Sequence, residues 1–247
     1  MTGETGAGRS AYDAFAPIYN RHWQRFSALA PDVLDAIVLK DLPSGAHVLD
    51  LCCGTGQLAR LLLGRGFRVT GVDGSARMLD FARENAPAAS LICADARDFV
   101  LSEQVDAVVS TSDSLNHVTE PDGLAAVFRC VRRSLRDGGV FVFDLNTEEK
   151  YLRHWTGSFG IVEDDQVCVV QVSYDQPSRI ASFHATMFFQ RGGWEREDLT
   201  IDERCYSEHE VRAALAGSGF SRVAIHDWRR DFDPAGEPAK IFVVCRG

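Results

Sequence analysis

The sequence predicts an α/β protein built on a doubly wound, mostly parallel seven-stranded sheet, with a small antiparallel β-sheet inserted into it. Three observations carry this. Short apolar runs alternate with helical patterns between about residues 46 and 146, which implies right-handed βαβ units and a parallel sheet with helices on both faces. From about 159 to 206 no strong helical segment appears and strand-like runs follow one another. Two further apolar runs near the C-terminus complete seven strands in the main sheet.

The elements follow in order. YDAFAPIYNRHW (12–23) is a leading helix in which Tyr12 and Tyr19, seven apart, share a face. AHVLDL (46–51) is a buried strand, and QLARLLLGRG (57–66) has helical spacing at Leu58, Leu61 and Leu62. FRVTGVD (67–73) is the second strand. In SARMLDFARENA (75–86) Ser75 is the N-cap and Met78, Leu79 and Ala82 fall on one face. SLICAD (90–95) and VDAVVST (105–111) are the third and fourth strands. A helix over 121–136 is stopped by Asp137-Gly138-Gly139 and leads into VFVFDLN, the fifth strand. FGIVEDDQVCVVQVSYD, RIASFHATMFFQR and REDLTIDERCYS are strands divided by turn signals at Gln176-Pro177-Ser178 and Gly192-Gly193. SEHEVRAALAGSG (207–219) is a helix opened by a Ser207–Glu210 capping box. SRVAIHDW and AKIFVVCR are the last strands. The chain thus divides into residues 1–147 with 207–247, the α/β unit with its leading helix, and 148–206, the antiparallel insertion.

Composition excludes several function classes. The 247 residues carry 26 Lys and Arg against 35 Asp and Glu, a net charge of −9. With no Lys/Arg block, nucleic acid is not the expected partner. No apolar stretch approaches the ~20 residues of a membrane span, so no membrane is expected either. The opening MTGETGAGRS is polar and lacks the charged-then-apolar order of a signal peptide. A cytoplasmic protein with a frayed first ten residues is the expectation. The seven cysteines form no C-x-x-C pair and the histidines no ligand spacing, so no metal site is expected.

The chemistry begins at VLDLCCGTGQLA (48–59). GTGQLA fits the G-x-G-x-x-G/A pattern, with Asp73 following 17 residues after Gly56. Gly54 and Gly56 let the backbone approach a ligand at the carboxyl end of the first strand. A nicotinamide dinucleotide and a different nucleoside both suit such a turn, as does a tight turn without a ligand. Three acids favour a cationic nucleoside. Asp50 lies two residues before the turn, where a carboxylate repels a pyrophosphate but suits an ammonium or a sulfonium. Asp73 ends strand two and can accept from ribose hydroxyls. Asp95 ends strand three and can accept from an exocyclic adenine amine.

VLDLCCGTG (48–56), GVDGSARML (71–79), CADARDF (93–99), DAVVSTSDSLNHV (106–118) and LRDGGVFVFDLNT (135–147) together resemble the class I S-adenosylmethionine-dependent methyltransferases, a Rossmann-like family. The resemblance covers residues 12 to 147 and fits the last helix and strands more loosely. It implies S-adenosyl-L-methionine as cofactor. Gly54 and Gly56 would approach its methionine and ribose portion, and Asp50 would orient its ammonium. Asp73, beside Gly74, would hold the ribose hydroxyls, Met78 would cover the adenine, and Asp95 with the Ala96 backbone would meet the adenine amine. Thr111 and Ser112 would lie near the sulfonium. The family usually has glycine, or sometimes alanine, where this chain has Cys52. The leading segment also resembles an opening found in small-molecule methyltransferases, whose first helix closes over the cofactor. Tyr12 and Tyr19 would there touch the cofactor or the acceptor, or simply pack on the core.

The acceptor side is read from SDSLNHV. His117, just beyond strand four, is the candidate base for an amine or hydroxyl acceptor. Some sugar-amine N-methyltransferases look similar here. The alternative is a histidine that caps a helix or touches the cofactor backbone. Asp113 and Asn116 are candidates for orienting the acceptor, with Asp113 equally suited to forming the turn. In the insertion, Tyr174 and Arg204 are candidates for lining the acceptor pocket. The insertion itself reads as an acceptor lid or as a homodimer surface. The reading is methyl transfer to nitrogen, or else oxygen, of a small molecule. Its rivals are an NAD-dependent oxidoreductase and a non-catalytic S-adenosylmethionine-binding module.

Overall fold

The computed structural model describes residues 10–23, 30–233 and 240–247. Of the ten residues expected to fray, 1–9 lie outside the described residues. The five predicted parallel strands form in order as β1 (His47–Leu51), β2 (Arg68–Asp73), β3 (Ser90–Cys93), β4 (Val105–Ser110) and β5 (Leu135–Asn146). Four antiparallel strands follow, β6 (Gly157–Val162), β7 (Gln166–Asp175), β8 (Ile180–Gln190) and β9 (Trp194–Arg204), and then β10 (Arg222–Asp227) and β11 (Lys240–Arg246).

The main sheet has the order β10-β11-β5-β4-β1-β2-β3, with β11 antiparallel to both of its neighbours. β1 is buried at every residue, as a strand covered by helices on both faces must be. From β1 the chain builds outward to β2 and β3, then returns to lay β4 on the other side. This reversal leaves a crevice at the carboxyl ends of β1 and β4.

Helices α1 (Tyr12–His22), α2 (Ala30–Ile37), α3 (Gln57–Gly64), α4 (Ala76–Asn85) and α5 (Pro121–Ser134) are joined by α6 (Glu148–His154), α7 (Glu208–Gly217) and α8 (Trp228–Asp231). Leu58, Ala59 and Leu62 of α3 pack against Val48, Val69 and Val109 of the sheet. Ser75 caps α4 by accepting the Met78 N–H at 3.1 Å, and Met78, Leu79 and Ala82 are its buried face. Ser207 and Glu210 form the expected capping box of α7. Three details depart from the sequence pattern. α5 stops at Ser134, because the Asp-Gly-Gly stretch, with Gly138 at φ +75°, is already the bent start of β5. The run 159–175 splits into two strands around residues 163–165. The seven-residue α6 buries Tyr151 alone, so it has no periodicity to read.

The second sheet has the order β6-β7-β8-β9. Its inner face, including Cys168, Val170, Ala185, Met187 and Ile201, packs on Phe15 and Ile18 of α1. The inner face of β8 therefore has a helix as its partner. Arg21 pins α1 to the β6–β7 turn through Asp165 (2.9 Å) and Glu163. The other flank of α1 lies on α4, where Asp13 Oδ1 accepts from Ser75 Oγ at 2.5 Å and Asn20 Oδ1 accepts from Asn85 Nδ2 at 2.9 Å. α1 is thus held between the second sheet and the glycine turn. No helix among the described residues is long and apolar enough to cross a membrane.

Gly71 of β2 allows this closeness, since a Cβ there would come within 2.8 Å of both Cys53 Sγ and Leu91 Cδ2. Gly71→Ala should cost about 1–3 kcal/mol through overpacking, read as a lower urea midpoint at unchanged slope. An unchanged midpoint would show that the β2–turn contact yields freely.

Candidate active site

The turn after β1 is fixed by its own backbone and by one carboxylate. Cys53 N–H donates to the Val72 carbonyl at 3.0 Å and Gly56 N–H to the Cys53 carbonyl at 2.9 Å. Asp73 accepts the Gly54 N–H on Oδ2 and the Ser75 N–H on Oδ1, both at 2.8 Å. Gly54 and Gly56 have φ of +53° and +78°, where glycine is at no disadvantage. A Cβ on Gly56 would also stand 3.0 Å from Ala82 of α4, so Gly56 serves close helix packing as well as the turn. Cys52 takes φ +61° without being glycine, at a cost of about 1–2 kcal/mol. Beside Asp73 the strand end is open, the nearest atom to a Cβ on Gly74 being the Ala94 carbonyl oxygen at 3.9 Å.

The cavity at this crevice is lined by Tyr19, Asp50, Cys52, Thr55, Thr111 and Ser112, among others. Asp50 is 2 % exposed and its Oδ2 has no hydrogen-bond partner. Burial, then the charge of Asp73, pushes its carboxyl from the ordinary 3.8 up to about 8, against one N–H bond from Ala59. Burial also raises Asp73, and the Ser75 and Gly54 amides pull it back. Thr55 Oγ1 is a second buried atom without a partner. A buried carboxylate with an unused oxygen calls for a cation. The acceptors present therefore fit a ligand with an ammonium at Asp50 and a diol at Asp73. Tyr19 closes the top, with its ring carbon Cε1 3.7 Å from the position of a Cβ on Gly54.

The second half of the site is built by the turn after β4. Tyr12 reaches across from α1, its hydroxyl 2.9 Å from His117 Nε2. His117 Nδ1 lies 3.3 Å from the Asp202 carbonyl oxygen. A carbonyl only accepts, so Nδ1 carries the proton and Nε2 is left to accept from Tyr12. Glu203, 4 % exposed, accepts from Tyr151 Oη at 2.6 Å and Asn146 Nδ2 at 3.0 Å on Oε2, while Oε1 lies 3.8 Å from His117 Nε2. Burial, then Asp113, raises the Glu203 carboxyl. Burial raises the Tyr12 phenol well above its ordinary value, with Glu203 adding to it. Asp113 accepts from Lys240 Nζ at 2.7 Å and from Asn146 Nδ2 at 2.9 Å. Burial alone would raise Asp113, but Lys240 and Lys150 outweigh it and hold the carboxyl well below the usual range.

Of the residues singled out from sequence, Tyr12, Tyr19, Asp50, Cys52, Gly54, Gly56, Asp73, Gly74, Thr111, Ser112 and His117 converge on the crevice. Others make contacts within the chain. Asn116 is fully buried, its amide spent on the Arg204 carbonyl (2.8 Å) and the Asn146 N–H (3.0 Å). Both oxygens of Asp95 are engaged by Arg97 at 2.5–2.8 Å, and Ala96 packs beside the core. Met78 is buried in the α4 face. Tyr174 donates to Glu148 at 3.1 Å and stacks on Tyr151, and Arg204 pairs with Glu210 at 3.1 Å. The sequence reading missed Asp144, Asn146, Glu203 and Lys240. Asp144 and Asn146 did carry a signal, as polar residues closing the apolar run VFVFDLN, just as Asp50 and Asp73 close theirs.

Comparison with known proteins agrees with this geometry. A family model described as a methyltransferase domain matches residues 48–139. YqeM of Bacillus subtilis (strain 168), named as a methyltransferase, is 27% identical over 237 residues, which is 94% of this chain and 95% of that one. The dTDP-3-amino-3,4,6-trideoxy-alpha-D-glucopyranose N,N-dimethyltransferase of Streptomyces venezuelae is 30% identical over 164 residues, 66% of this chain and 67% of that one. An S-adenosylmethionine-dependent methyltransferase from Clostridium acetobutylicum ATCC 824 has the same fold, with a TM-score of 0.77 at 23% identity over 96% of this chain and 99% of that one. With its glycine turn, its two strand-end carboxylates and these relatives, the chain belongs to the class I S-adenosylmethionine-dependent methyltransferases.

Proposed function

We propose that the chain transfers a methyl group to the nitrogen of a small amine, with an aminosugar as the acceptor class. The Tyr12–His117 pair beside Glu203 carries the reading. The S. venezuelae relative supports it, since an amino sugar stands in its name. Asp50 would hold the cofactor ammonium, Asp73 its ribose hydroxyls, and Tyr19 would cover it. When bound, the cofactor would supply an electrophilic methyl to the acceptor lone pair, with S-adenosylhomocysteine as the leaving group.

The chain's own work is alignment, water exclusion and removal of one proton from nitrogen. The Tyr12 phenol is held far above neutrality, so it acts as a hydroxyl and not as a phenolate. It accepts from the acceptor N–H while its own proton passes to His117 Nε2. The imidazolium formed lies next to Glu203 Oε1, 3.8 Å away. Charge favours an amine. Glu203 has neutral hydrogen-bond donors, and burial presses it toward the protonated form. A cation arriving nearby returns it to the carboxylate.

The test is methyl transfer, followed by mass, to dTDP-3-amino-3,4,6-trideoxy-alpha-D-glucopyranose and to its 3-hydroxyl counterpart. Methylation of the amine is expected; methylation of the hydroxyl compound alone would move the acceptor atom to oxygen. His117→Ala should lower turnover by roughly 10²–10⁴-fold, with S-adenosylhomocysteine affinity within about threefold by calorimetry. Tyr12→Phe should lose turnover without losing cofactor affinity. Full turnover in His117→Ala would remove the relay.

Asp50 gives the pH dependence. An ammonium needs the carboxylate, so cofactor binding releases the proton that Asp50 holds up to about pH 8. Affinity for S-adenosylhomocysteine should rise with pH toward about 8 and then level off. The folded carboxyl titrates above the unfolded one, so its contribution to stability is complete below the ordinary 3.8 and lost as pH rises through about 8. Asp50→Asn should flatten both profiles and weaken binding roughly ten- to hundredfold. Calorimetry between pH 6 and 9 checks this, and a pH-independent wild-type affinity would contradict it.

A further inference from the structure

Among the described residues, four that are not glycine have positive φ, and three of them stand at the strand ends of this site. Two are adjacent: Ser112 at 65° and Asp113 at 56°. L side chains rarely adopt this backbone, and it persists only where the surroundings over-determine it. Here they do. Asp144 on β5, 3 % exposed, accepts the Asp113 N–H on Oδ1 at 2.7 Å and the Ser112 N–H on Oδ2 at 3.1 Å. Two successive amides turned onto one anion form a small nest.

The buried anion needs a counter-charge, and it comes from the far edge of the chain. β11 runs antiparallel to β5 with Lys240 opposite Asn146. This brings Lys240 Nζ to 2.9 Å from Asp144 Oδ2 and 2.7 Å from Asp113 Oδ1. Asn146 Nδ2 holds the other oxygen of Asp113 at 2.9 Å. The turn is thus fixed through its amides by Asp144 and through its side chain by Lys240 and Asn146.

We infer that Lys240 is a positioning residue for the cofactor site: by joining Asp144 to Asp113 it holds the 111–113 turn left-handed, and so keeps Thr111 and Ser112 in the cavity wall facing Asp50. Remove the ammonium and the buried Asp144 carboxylate is left against the half-buried one of Asp113. The turn then relaxes, and Thr111 and Ser112 move with it. The effect passes through the loop. It concerns the cofactor half of the site and is independent of which acceptor is methylated.

The test is calorimetric titration of the folded full chain with S-adenosylhomocysteine, alongside the thermal midpoint. K240M should lose at least tenfold in affinity. K240R, which keeps the charge, should stay within threefold. V243A, a fully buried core position on the same strand, should lower the midpoint yet bind within twofold of wild type. D144N offers one acceptor oxygen to two amides and should also lose at least tenfold, so it decides the matter if K240M does not fold. Binding within twofold of wild type in folded K240M or in D144N would overturn the inference. So would an equal loss in V243A and K240M, or in K240R and K240M.

Discussion

The Asp73 carboxylate stands between two backbone amides, that of Gly54 in the turn after β1 and that of Ser75 at the head of α4. Much of the molecule hangs on this arrangement. It sets the glycine turn against the end of β2 and starts α4 at the right residue. Ser75, so placed, caps α4 and donates its hydroxyl to Asp13. Asp13 in turn seats α1, and α1 carries the inner face of the second sheet on Phe15 and Ile18. A path of local bonds thus runs from the cofactor turn to an element more than a hundred residues later. Each step satisfies a polar group that burial would otherwise leave costly.

Two groups of acidic side chains give the crevice its chemical character. Asp50 and Asp73 sit at the β1–β2 end, with an unused oxygen on Asp50. Glu203 sits at the other end, beside His117 and Tyr12. Between them Lys240 neutralises Asp113 and Asp144 without reaching the cavity wall. S-adenosylmethionine carries an ammonium and a sulfonium, and the crevice sets acidic side chains at its strand ends.

The α/β frame was legible because its signals are local. Continuous apolar strands, the Ser75 and Ser207 caps and the glycine turn each declare themselves within a dozen residues. Asp50 and Asp73 were legible for the same reason, as acids closing apolar runs. Asp95 closes a run too, yet Arg97, two residues on, engages both its oxygens, a competition that spacing alone does not rank. Asn116 reads as a candidate for orienting the acceptor, but the end of β9 and the end of β5 both engage its amide. Lys240 and Glu203 were invisible because their partners lie 127 and 86 positions earlier, at Asp113 and His117, and meet them through β11 and β9. The seven-residue spacing of Tyr12 and Tyr19 gave their shared face; that one would meet His117 and the other Gly54 needed the fold.

The central claim is that the strand-end carboxylates select a cationic nucleoside over a dinucleotide. Calorimetric titration of the wild-type chain and of Asp73→Ala with S-adenosylhomocysteine and with NADH tests it most directly. Saturable binding of S-adenosylhomocysteine to the wild type, silence from NADH, and no binding to a cooperatively unfolding Asp73→Ala variant are predicted. Binding of NADH to the wild type, or undiminished S-adenosylhomocysteine affinity in Asp73→Ala, would contradict the account.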